Sequence, residues 1–408
     1  MRNLYYFFIS KNIGVEHISP VVKSVLNLFN ISVDILPSKS TVSNMSNEMG
    51  VLSRIQTNEE LLNCTNVTMH RDATTKKGKH FYCVQFSTGD KVLTAGVREL
   101  CDGKGETYVS GTHEIIDDIC EKECEKEKIL NSVSCFMTDR SATEQKANTI
   151  LSCDIDHDVH SFKCSVHPLL QFSDVCLQEC FNVEKEINIC FDGHCSSSKD
   201  PHTMFVLKCV SKLFYKDGTG DPNFSHVFFK SKGFESVPIM NFRGSRFNVC
   251  FYNAAGTFFI HKLLLQYLLS LKNSLNFIQN AIVFFLQNKR FLTILRALGI
   301  LCKLITEPYW KKTLEVSNAL FMGTVYERLV FVLNLFYENP GLALGRKVSL
   351  FEGPDFYDEV SEFLFSSSFN DDLTCVLIKR FCGILKSKSQ KLFSDFLKGG
   401  KYFNSNVF

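Results

Sequence analysis

Ser132-Val133-Ser134-Cys135-Phe136-Met137-Thr138-Asp139-Arg140-Ser141-Ala142-Thr143-Glu144-Gln145-Lys146 is the stretch that decides the fold of this chain. Val133, Cys135 and Met137 recur with the period of a strand that can sit inside a sheet. The polar Thr138-Asp139-Arg140-Ser141 then projects from its carboxyl edge. Ser141 can cap the helix that follows, and Glu144, three residues on, completes a capping box. A strand running straight into a capped helix holds the acid between them still.

A second acid has a matching setting upstream, in Asn66-Val-Thr-Met-His-Arg-Asp72-Ala-Thr-Thr75. After it, His80–Thr88 and Lys91–Arg98 are two runs rich in β-branched and aromatic residues, and Gly89-Asp90 between them is a hairpin signal. Residues 105–130 place Tyr108, Ile115, Ile119, Cys120 and Cys124 at roughly helical spacing, which predicts one amphipathic helix with an acidic outer face. Val159–Phe172 reads as a fifth strand entering a helix near Pro168, a residue suited to a first helical turn. Strand with acid, strand, strand, helix, strand with acid, helix is an order that resembles the ribonuclease H-like fold. The expectation is therefore an α/β protein with a ribonuclease H-like mixed sheet, helices on both faces, and Asp72 and Asp139 on neighbouring strands.

Outward from that core, residues 1–65 read as a helical amino-terminal segment. Val21–Phe29 has helical spacing, Pro37–Ser43 looks like a linker, and a helix is expected over Met45–Leu62. The core spans 66–181. From about Asn182 to Pro201 the chain reads as loop, and from Phe205 it is helical, Phe-rich and basic, giving an α-helical insertion domain over 182–350. Leu263–Leu271, Ala281–Leu286, Phe291–Ile305 and Val325–Tyr337 read as buried helices, and residues 351–408 as carboxyl-terminal helices.

With 408 residues the chain can bury a substantial core. Its 17 cysteines are scattered, without a Cys-x-x-Cys, and the opening Met1–Ser10 is too short an apolar run for a signal peptide or a membrane span. Free thiols in a reducing compartment follow, with no membrane partner. The net charge of +2 conceals an uneven distribution. From Lys208 to Lys312 there are about 15 Lys and Arg against 4 Asp and Glu, whereas Glu99–Lys128 carries about 10 acids against 4 bases. A basic field on one region is what a polyanion-binding surface needs.

Thr138-Asp139-Arg140-Ser141-Ala142, then Cys164-Ser-Val-His167, then Arg243-Gly-Ser-Arg246-Phe247-Asn248 is a motif series that resembles the hAT-superfamily DNA transposases. The order matches from about residue 66 to about 340. Phe242–Ala255 and the run beginning Asp72-Ala-Thr-Thr-Lys-Lys-Gly are similar to transposon-derived proteins of animal genomes. The resemblance implies a nuclear, DNA-binding protein able to form a homo-oligomer, with Asp72 and Asp139 as catalytic acids and ligands for Mg²⁺ or Mn²⁺. It implies DNA contacts by Arg140, His167, Arg243 and Arg246, metal-dependent phosphodiester cleavage, and strand transfer. Three departures count against full activity. Phe247 stands where the family has Trp, the family's amino-terminal zinc-binding domain is expected to be missing, and the third carboxylate is unplaced, with Glu307, Glu315 and Glu359 as candidates by position. In the family a dimerisation segment lies where this chain ends, so truncation is an expectation.

Each motif also has a plainer interpretation. Asp72 and Asp139 can simply cap strand-to-loop turns. Cys164 and His167 can be structural packing, since two ligands make no tetrahedral zinc site, and Cys190, His194, Cys195, His202 and Cys209 have irregular spacing for one. Arg243 and Arg246 can be ordinary surface bases. The rival function is a catalytically inactive, domesticated scaffold that binds DNA or protein.

Overall fold

The computed structural model describes residues 1–89, 91–191, 200–242, 247–272, 274–352, 358–368 and 370–403. The chain divides into two compact units, Met1–Cys164 and Ser165–Phe408.

The first unit opens with helices α1 (Arg2–Ser10), α2 (Val15–Leu28) and α3 (Lys39–Leu62). Tyr5, Ile18, Val22 and Val42 form a small core among them. The start of α3 corrects the expected linker: Ser38 is its N-cap, its Oγ accepting the Thr41 N–H at 3.3 Å. A Ser before a polar run is as good a helix start as a linker, and the short-range cap decided it.

Strands β1 (Val67–Lys76), β2 (Lys79–Thr88) and β3 (Lys91–Leu100) follow as a meander. Lys77 and Gly78 turn the first hairpin at φ 53° and 77°, the left-handed pair that a two-residue connection between twisted strands requires. Next come α4 (Gly105–Asp117), α5 (Glu123–Ser132), β4 (Val133–Thr138), α6 (Ala142–Leu151) and β5 (His160–Lys163). The result is a five-stranded mixed sheet of order β3-β2-β1-β4-β5. β1 runs antiparallel to β2 and parallel to β4, and β4 runs parallel to β5.

Two helices, α4 and α5, stand where one was expected. The Glu125 carboxylate accepts the Glu121 N–H at 2.8 Å and the Lys122 N–H at 3.3 Å, so a fresh helix starts there. Such side-chain capping competes with continuation of the ladder. The apolar spacing nonetheless holds, with Tyr108, Ile115 and Ile119 all buried.

Alternation along the strands builds the core. Val67 and Met69 of β1, Tyr82, Val84 and Phe86 of β2 and Phe136 of β4 pack against Ile115 and Ile116 of α4, Ile129 and Leu130 of α5, and Ala147 and Leu151 of α6. Each such burial contributes about 1.5–3 kcal/mol. A one-residue slip would turn the whole inward set to the opposite face, so the pattern pins the register.

The described part of the second unit is helical: α7 (Pro168–Glu186), α8 (His202–Tyr215), α9 (Pro222–Ser231), α10 (Val249–Leu269), α11 (Phe277–Gln287) and α12 (Lys289–Leu301), which passes through a π turn at Cys302–Thr306 into α13 (Glu307–Glu315). Then come α14 (Met322–Glu338), α15 (Gly341–Leu344), α16 (Glu359–Phe365) and α17 (Asp371–Leu392). α7 begins at Pro168 as expected and continues to Glu186, so residues 182–186, expected to be loop, are helical. α10 packs on α12, and α17 packs on α7, α12 and α14. Among the described residues one helical stretch, Ala319–Glu338, is long and apolar enough to cross a membrane. Within it Val325, Leu329, Val332, Leu333 and Phe336 are buried in the unit's core.

Candidate functional site

β1 and β4 are neighbours and parallel, and their register ends at His70 opposite Met137. Two residues further along the chain from each of these come Asp72, in the middle of β1, and Asp139, the residue that follows β4, so the two lie level just past the end of the β1–β4 ladder. Asp72 is exposed and Asp139 half-buried. Alternation puts Asp72 on the face opposite Met69 and Arg71. Both acids also act on the same two neighbours: each raises the pKa of Glu144 and of Tyr108.

Each acid also does the turn work of its plainer interpretation. Asp139 Oδ1 accepts the Ser141 N–H at 2.8 Å, and Asp72 Oδ1 accepts the Ala73 N–H at 3.0 Å. The first bond changes the cap of α6. Ser141 Oγ accepts the Glu144 N–H at 3.1 Å, as a capping box requires, but the reciprocal bond from Glu144 is replaced by Asp139. The Glu144 carboxylate is released to the interior, where it is 2 % exposed.

Its partner there is Arg71, which sequence patterns did not single out. Arg71 follows Val67 and Met69 in the inward series of β1, and its side chain is sealed from solvent. Its Nη2 lies 3.3 Å from Glu144 Oε2 and donates to Asn148 Oδ1, and its guanidinium stands 5.1 Å from the centre of the Phe136 ring. Asn148 Nδ2 donates to Thr138 Oγ1 at 3.2 Å and to Ser161 Oγ of β5 at 2.8 Å. Gln145 Nε2 donates to the Asp139 carbonyl at 3.0 Å. The signal in the sequence was a charged residue on the inward parity of a strand, which always demands a buried counter-charge.

Burial is the main cause that pushes the Glu144 carboxyl up to about 7, Arg71 opposing it and the two aspartates adding to it. Burial likewise pushes the Tyr108 hydroxyl up to about 12, reinforced by Glu144, Asp139 and Asp72. Tyr108 OH pairs with His80 Nε2 at 2.9 Å, and its ring lies 4.6 Å from that of Tyr82.

The remaining expected residues are distributed as follows. Arg140 is half-buried directly after Asp139. Cys164 ends the first unit, its N–H donating to Thr138 O at 2.8 Å, and His167 opens the second as the residue before α7, its ring edge-on to Phe247 at 5.2 Å. Arg243 and Arg246, and the zinc candidates His194 and Cys195, lie outside the described residues. Of the other zinc candidates, Cys209 is buried and Cys190 exposed. The three third-carboxylate candidates belong to the second unit. Glu307 pairs with Lys303 at 3.1 Å and Lys311 at 2.9 Å and lines a cavity of about 230 Å³ with Lys303, Arg346, Leu350 and Phe365. Glu315 pairs with Lys312 at 3.0 Å, and Glu359 is exposed in the first turn of α16. Among the described residues no group of three His, Cys, Asp or Glu is placed to hold a metal ion.

No family profile matches the chain, and no curated protein matches it.

Proposed function

We propose that this chain is a transposon-derived, nuclear DNA-binding protein, acting as a homo-oligomer, with a ribonuclease H-like core carrying helices on both faces and a basic helical insertion. Asp72 and Asp139 would hold Mg²⁺ or Mn²⁺ at that core. The observation that carries the proposal is the register of β1 on β4, which brings Asp72, in the middle of β1, level with Asp139, the residue after β4, on parallel neighbours. Hard divalent cations take oxygen donors, and both acids supply them. A bound cation there would supply an activated water and charge neutralisation for phosphodiester cleavage and transfer to a 3′-hydroxyl. Asp72 and Asp139 orient it, Arg140 lies beside them for a phosphate, and Arg243, Arg246 and His167 belong to the DNA contact.

The second reading, a DNA- or protein-binding scaffold without catalysis, is favoured by one observation: the acidic pair lacks a third ligand among the described residues. Nicking of supercoiled DNA in Mn²⁺ separates the two. Activity lost in Asp139→Asn supports the enzyme, whereas activity equal in wild type and variant removes the catalytic assignment. DNA affinity that falls steeply with salt, with nicking absent from the wild type, supports a DNA-binding scaffold.

A further inference from the structure

Arg71 is a costly residue to find where Val67 and Met69 set the pattern. Replacing a buried ion pair by apolar side chains of similar volume is often neutral or stabilising, so stability alone does not explain this one. Its hydrogen bonding is also incomplete: Nε and Nη1 of Arg71 and both carboxylate oxygens of Glu144 find no protein hydrogen-bond partner. What the guanidinium does achieve is a connection. It sits on β1 in the residue before Asp72, donates to Asn148 of α6, and through Asn148 Nδ2 reaches Thr138, the residue before Asp139 on β4. The same Asn148 amide reaches Ser161 on β5.

We infer that Arg71 and Asn148 are positioning residues that hold Asp72 and Asp139 at one fixed separation, with Glu144 as the counter-charge that keeps Arg71 in the core. The tie joins the two strands one residue short of the acids, where the backbone ladder between them has ended: the last paired residues are His70 and Met137. Beyond that point the strands can splay, and a side-chain bridge is what remains to set their spacing. The inference deepens the metal reading of the acid pair and rests on it for its purpose, but the spacing itself can be measured without metal.

The test uses the full ¹⁵N-labelled chain and follows hydrogen exchange at the Ala73 and Ser141 amides, which donate to the Asp72 and Asp139 carboxylates. In Asn148→Ala, which leaves the ion pair of Arg71 and Glu144 in place, both amides are expected to exchange at least tenfold faster while the core amide of Val84 exchanges as in the wild type. Arg71→Met/Glu144→Leu is expected to melt no lower than wild type and to show the same acceleration, an outcome a purely structural role does not give. Unchanged exchange at both amides in Asn148→Ala overturns the inference. Mn²⁺ titration runs in parallel: binding that weakens about tenfold in Asn148→Ala supports the full proposal. No Mn²⁺ binding by the wild type, with the exchange behaving as expected, removes the metal reading and leaves the positioning role standing.

Discussion

Arg71 and Glu144 face each other across 3.3 Å in the core of the sheet unit, one from the inward series of a strand and the other from the first turn of the helix after its neighbour. The carboxyl of Glu144, pushed up to about 7, gives the pair a pH signature. The folded chain binds this proton more tightly than the unfolded chain, whose glutamate titrates near ~4.3. Stability from this group is therefore full below that value and is lost as pH rises to about 7. Relative to Glu144→Gln, the wild type should lose up to about 3 kcal/mol between pH 4 and pH 7, read from urea midpoints. A difference that stays flat over that range would show that the folded chain holds this proton no more tightly than the unfolded one.

Removing Glu144 leaves the Arg71 guanidinium charged and buried, so Glu144→Ala should cost about 3–5 kcal/mol at neutral pH. Arg71→Ala should cost less, because the Glu144 carboxyl, already pushed up to about 7, then takes up a proton. The double variant Arg71→Ala/Glu144→Ala should be less destabilised than the two singles added together, by about 1–3 kcal/mol. Urea unfolding of all four members of the cycle measures it, and strict additivity would mean the two groups do not interact.

Two helical glycines should respond with opposite signs. A Cβ at Gly256 in α10 would lie 1.8 Å from the carbonyl oxygen of Pro238, a backbone atom that cannot swing away, whereas one at Gly50 in α3 would meet nothing within 4 Å. Gly256→Ala should therefore cost more than about 2 kcal/mol, in the range of core overpacking. Gly50→Ala should gain about 0.5–1 kcal/mol. Thermal melts of both variants decide it.

Arg296 pins the junction of α16 and α17. Its Nε donates to Leu364 O at 2.9 Å, Nη2 to Ser366 O at 2.6 Å and Nη1 to Asp371 Oδ1 at 2.5 Å. Arg296→Ala should cost about 3–5 kcal/mol, because a buried charged partner is removed from three acceptors. Arg296→Lys should recover less than half, since an ammonium cannot reproduce the planar fork. Hydrogen exchange should show α16 opening first in both variants; protection unchanged there would place the role of Arg296 elsewhere.

Much of the sheet unit was legible in the chain as a string. Alternation of Val133, Cys135 and Met137, the aromatic and β-branched runs after Asp72, and Pro168 at a helix start are short-range signals, and the structure has a strand or helix at each. So is the Ser141 cap. The single helix over 105–130 and the linker at 37–43 were misread because a Glu125 or a Ser38 side chain reaching a backbone N–H a few residues away outweighs apolar spacing.

Local periodicity and capping determined that strands and helices form along most of the sheet unit and that Asp139 directly follows a strand, but not the inward face of β4, which buries Phe136 and Thr138 where the alternation of Val133, Cys135 and Met137 pointed to the other parity. Which strand lies beside which, that Asp72 comes level with Asp139, and that Glu144 leaves its capping box for Arg71 were decided only in the tertiary structure. The reason is physical. Periods and caps are fixed by neighbours a turn away, whereas a buried charge takes whatever counter-charge the packed core brings to it, and that depends on strand order and register.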